Sequence, residues 1–132
     1  MSMQQQQLQR MLKDIDESKY ILKKIEWRER ECREALTRWK EKRIMLQQRE
    51  ELWMWRAEAV WWGRPVGKDV TGLTEEQFKL IQPRIIALNH IIQSWEVRHA
   101  QQLECLAFER KYLQELEDRC EYLWERYISL TV

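Results

Sequence analysis

The chain has 132 residues, 34% of them charged and 44% hydrophobic, with three glycines, two prolines and a formal net charge of +1. That length suits one domain, the few turn formers suit long helices with solvated flanks, and the balanced charge disfavours a general electrostatic grip on nucleic acid or anionic lipid. No apolar run approaches the ~18 residues of a membrane helix, so a membrane partner is not expected.

The opening MSMQQQQLQRMLKDID has neither the apolar segment nor the cleavage site of a secretory signal. Its QQQQ is low in complexity and expected to fray. Residues 3–62 then contain no proline and no glycine, which predicts a first helix of about 90 Å at ~1.5 Å per residue. One heptad stripe reads Leu8, Ile15, Leu22, Glu29, Leu36, Arg43, Glu50, Ala57. Its companion reads Met11, Ser18, Ile25, Cys32, Trp39, Leu46, Trp53, Val60 and is apolar in nearly every turn, as a seam against another helix requires. Charged interruptions at Glu29, Arg43 and Glu50 either set register or mark a drift of the partner. The acid-first pairs Glu26–Arg30, Glu29–Arg33 and Glu34–Arg38 add a few tenths of a kcal/mol each, roughly 0.2–0.5. A break across residues 43–50, giving a compact bundle, is the alternative to an unbroken helix.

The segment GRPVGKDVTGLTEEQ holds all three glycines and is the one clear break, a tip loop at about 63–73. Thr74 followed by Glu75, Glu76 and Gln77 matches a capping box, so the second helix is placed at about 74–130. Its stripes are Phe78, Ile85, Ile92, His99, Leu106, Leu113, Cys120, Tyr127 and Ile81, Leu88, Trp95, Gln102, Glu109, Leu116, Leu123, Leu130. Pro83 lacks a backbone donor and predicts a kink, or a short helix handing over near Gln82. The expected fold is an all-α antiparallel coiled-coil hairpin, assembling into a larger helical bundle. Ideal geometry pairs positions that add to about 136, which sets Cys32 near Cys105 and makes residues 99–109 a polar waist.

The aromatics raise the functional question. Trp53, Ala57 and Val60 share the seam direction and are expected in the core, with Met54 and Trp61 extending it. Trp55 and Trp62 point nearly opposite, on the stripe of Tyr20 and Trp27, and Phe108 and Tyr122 share an off-seam line on the second helix. A lone hairpin leaves such rings in water. Either the loop residues Val66, Val70 and Leu73 cover the tip tryptophans, or a partner covers the off-seam rings.

No phosphate loop, nucleophile elbow or HExxH pair is present, so no enzyme and no cofactor are expected. Cys32, Cys105 and Cys120 include no CxxC, which favours a reducing, intracellular and cytoplasmic setting and buried thiols over disulfides or a metal site. His99 reads as a satisfied core histidine. Residues 23–49 carry ten basic and five acidic side chains, whereas 104–126 are net acidic. The basic run, with Arg28, Arg38, Lys40, Lys42, Arg43 and Arg49, is either a solvated face or a surface for nucleic acid or an acidic partner. The terminal ISLTV reads as noise unless the tail is free.

The long hairpin plan resembles the coiled-coil hairpins of flagellar and type III secretion export stalk proteins, a resemblance of fold alone. The reading these residues favour is a non-enzymatic scaffold or interaction module. It meets a protein partner or further copies of itself through Tyr20, Trp27, Trp55, Trp62, Phe108 and Tyr122.

Overall fold

A computed structural model describes residues 2–61, 63 and 74–131. The chain is all-α: α1 spans Met3–Trp61, α2 spans Glu75–Lys79 and α3 spans Ile81–Thr131, with no strand among the described residues. One long helix and one bent helical arm pack against each other as a hairpin. No break occurs across residues 43–50, because that stretch holds neither proline nor glycine and α1 runs through it.

The ends of the helices are set by side chains that replace missing backbone partners. Ser2 Oγ accepts from the Gln5 amide at 3.2 Å while Gln5 Oε1 accepts from the Ser2 amide at 3.2 Å. This reciprocal cap satisfies two orphan donors, and α1 includes the QQQQ segment from Met3 onward. Thr74 and Gln77 form the same device before α2, as the sequence predicts. α2 ends after one turn at Leu80, and α3 begins at Ile81. Pro83 then falls in the first turn of α3, where its absent N–H would have lacked a helical partner in any case. The expected handover is therefore present, two residues ahead of Gln82. Gly63 takes a φ of 68°, a left-handed value that glycine adopts without strain.

The contacts group into two units, Met1–Glu31 with Arg98–Val132, and Cys32–Val97. In the first, Leu8, Ile15 and Ser18 of α1 and Leu106 and Leu116 of α3 are buried. In the second, Cys32, Ala35 and Leu36 of α1 are buried, as are Ile81, Ile85, Leu88 and Ile92 of α3. All but Ala35 lie on the predicted stripes, and each buried leucine or isoleucine contributes roughly 1.5–3 kcal/mol.

Polar seam residues of α1 meet polar partners on α3. In the first unit, the Ser18 hydroxyl donates to Glu109 at 3.4 Å, and Glu29 lies 3.1 Å from His99 Nε2. In the second, Arg43 donates to Asn89 at 3.0 Å, and Gln82 donates to Glu50 at 2.6 Å. The polar contacts are thus distributed along the seam instead of gathered in one waist, and Leu106 is buried inside the stretch expected to be polar. Such pairs fix register, since a slip strands each of them against a carbon surface.

Their positions correct the estimated register. Glu50 meets Gln82 rather than Ile86, Arg43 meets Asn89 rather than Gln93, and Gln5 meets Tyr127 rather than Thr131. These three are displaced by one helical turn and Glu29–His99 by about two, while the ion pairs Lys40–Glu96 and Glu26–Arg110 fall at the expected positions. The estimate measured from an unbroken second helix starting at Thr74, whereas pairing near the tip is set by Trp53 stacked on Phe78 with ring centroids 5.1 Å apart. Trp53 is half-buried, but Ala57, one turn on, is exposed, and Val60 lies outside the described side chains. Met54 and Trp61 do not extend the seam, Trp61 being 84% exposed, because a two-helix seam buries only a narrow stripe.

Replacing both Glu29 and His99 with leucine is expected to leave stability unchanged or raised, while Glu29→Leu alone lowers it by about 1–3 kcal/mol. Urea denaturation of the three chains measures this, and a double variant no better than the single would contradict it.

Candidate interaction surfaces

The off-seam aromatics stand in solvent. Trp55 is 59% exposed and Phe108 68% exposed, and Tyr20, Trp27 and Tyr122 are exposed to a similar degree. Trp62 and the covering residues Val66, Val70 and Leu73 lie outside the described residues. No ring contact joins any two of the five described rings. Phe108 stacks instead on Tyr112 at 6.5 Å, and the Lys24 ammonium sits 4.5 Å above the Tyr20 ring. Helix geometry explains the exposure: these positions lie on the far side of α1 and α3 from the stripes that pack. The sequence reading overlooked Trp124, which follows the seam residue Leu123, is exposed, and stacks on Tyr127 at 6.0 Å. The same stripe test applied to every aromatic would have found it.

The basic stretch is divided between the two units. Arg28 belongs to the first unit, and Arg38, Lys40, Lys42, Arg43 and Arg49 to the second. Lys40 lies 3.7 Å from Glu96, Arg43 is hydrogen-bonded to Asn89, and the Lys42 ammonium lies 4.6 Å above the Trp39 ring. Arg38, Lys42 and Arg49 remain exposed along one edge of α1. Beside them opens a groove of about 390 Å³ floored by Met45, Leu46, Ala87 and Leu88. Lys42, Arg49 and Arg84 rim it. An apolar floor with a cationic rim suits a ligand that carries carbon at its centre and carboxylates at its margins.

The sulfur atoms offer no common site. Cys32 is buried, Cys120 half-buried and Cys105 exposed, all as free thiols, so the expectation of Cys32 and Cys105 as a pair of buried thiols fails at Cys105. Cys105 precedes the seam residue Leu106 and lies on neither apolar stripe, which accounts for this. Among the described residues no group of three His, Cys, Asp or Glu side chains is placed to hold a metal ion. His99 is half-buried against Glu29, a satisfied histidine of the seam. Among the same residues, no helix is long and apolar enough to cross a membrane.

Fold and surfaces together define an all-α helical hairpin with aromatic rings on its outer faces and a basic-edged groove in one unit. No protein-family model, curated protein or solved structure matches the chain.

Proposed function

We propose that this chain is a non-enzymatic interaction module that self-associates, or docks into a larger assembly, through aromatic side chains outside its own seam. The observation that carries this reading is the exposure of Tyr20, Trp27, Trp55, Phe108 and Tyr122 in a hairpin whose stripes from Leu8 to Trp53 and from Phe78 to Leu123 are buried or half-buried. Large rings cost free energy in water, and tryptophan and tyrosine supply much of the binding energy at interface centres.

Sedimentation velocity across a hundredfold concentration range tests the reading. Concentration-dependent assembly is expected, or co-sedimentation with a partner. A single monomeric species throughout, unchanged when the rings are truncated, would count against it.

A further inference from the structure

Two surfaces of this chain carry opposite charge around apolar side chains. On α1 in the Cys32–Val97 unit, Arg38, Lys42, Met45 and Arg49 follow at steps of four, three and four residues, so they form one row. Lys42, Met45 and Arg49 of that row line the groove, with Arg84 on the opposite rim. Neither Arg49 nor Arg84 pairs with a carboxylate among the described residues. In the other unit, the outer face of α3 bears Glu104, Glu115, Asp118, Glu121 and Glu125 against Lys111, Arg119 and Arg126, all exposed, and so is net acidic. Phe108 and Tyr122 stand among them. Glu121 and Glu125 are one turn apart on this face and repel each other within the helix. The first surface is net basic, with Glu41 an acidic neighbour, and the second is net acidic.

Their spacings agree in one direction only. Lys42 and Arg49 are two turns apart, as are Asp118 and Glu125. Met45 lies three residues after Lys42, and Tyr122 lies three residues before Glu125. Reading α3 backwards against α1 therefore superimposes both charges and the apolar residue between them. Reading it forwards displaces the tyrosine from the methionine by a residue, about 100° around the helix.

We infer that the groove is occupied by the outer face of α3 from a second copy of this chain, laid antiparallel so that Lys42 meets Glu125, Met45 meets Tyr122 and Arg49 meets Asp118. This rests on the self-association reading above and specifies which surfaces meet. Burial of Tyr122 and Met45 supplies the apolar contact, while the flanking charges set direction and speed of encounter.

Charge reversal tests it. Lys42→Glu with Arg49→Glu makes both surfaces acidic, and Asp118→Lys with Glu125→Lys makes both basic. Each double variant is expected to keep the helix content of the parent, since all four sites are exposed, and to raise the dissociation constant of self-association at least about tenfold. An equimolar mixture of the two variants is expected to recover assembly, because each then offers the surface the other needs. Assembly of the parent should also weaken as salt rises. If both double variants assemble as the parent does, or if the mixture fails to recover, the inferred contact is wrong while the aromatic reading stands. If the parent is monomeric throughout, the contact and self-association fall together.

Discussion

Truncating Leu106 to alanine is expected to cost about 2–5 kcal/mol, whereas truncating Phe108, two residues on, costs less than about 0.5 kcal/mol. Leu106 is 4% exposed and packs in the seam of the first unit, so its removal forfeits transfer free energy and leaves a cavity that stiff helices cannot close. Phe108 is the larger side chain, yet its ring is mostly in water already and touches chiefly Tyr112. A ranking by size or hydrophobicity would reverse the order. Urea denaturation of dilute samples, where assembly contributes nothing, reads the difference. Ile92→Ala should repeat the large loss in the second unit, since Ile92 is 2% exposed there. Equal losses for Leu106→Ala and Phe108→Ala would mean that the stripes are misassigned.

The second large effect is expected where stability barely changes. Replacing Trp27, Trp55 and Phe108 together with alanine should weaken assembly by tenfold or more, because truncating a single central interface ring commonly costs about 2 kcal/mol. Helix content should be nearly unchanged, as none of the three packs in the seam. Circular dichroism and sedimentation on the same samples separate the two readouts. A chain that loses its helices on this substitution would show that the rings belong to its own core.

Much of the fold was legible because one physical signal dominates it. Apolar residues recur at heptad spacing from Leu8 to Trp53 and from Phe78 to Leu123, and every one of those positions is buried or half-buried. The tip loop expected at about 63–73 lies, Gly63 apart, outside the described residues, and the α2–α3 handover was legible because Pro83 suits a helix start. Register was harder to read. It depends on the pairings Ser18–Glu109, Glu29–His99, Arg43–Asn89 and Glu50–Gln82, and periodicity marks these residues as polar without saying which faces which. The start of α1 at Met3 agrees with the expected one, and the Ser2–Gln5 spacing is a capping box that the sequence reading passed over.

The candidate surfaces were legible in part. Off-seam rings follow from helix angles alone, and the exposure of Tyr20, Trp27, Trp55, Phe108 and Tyr122 agrees with them. The groove did not follow, because it needs side chains from two helices in correct register: Met45 and Leu46 from α1 against Ala87 and Leu88 from α3. The basic stretch looked continuous in sequence, yet Lys40 and Arg43 are engaged with Glu96 and Asn89. Charge counts do not reveal which cations are already occupied.

Fluorine NMR of the fluorotryptophan-labelled chain tests the central claim most directly, with the Trp27 and Trp55 resonances assigned by substitution to phenylalanine. In dilute samples both resonances should shift between ordinary and heavy water, as solvent-facing indoles do, and the shift should shrink as the chain assembles or meets its partner. Indoles insensitive to solvent in the dilute monomer, or equally sensitive once assembled, would contradict the account.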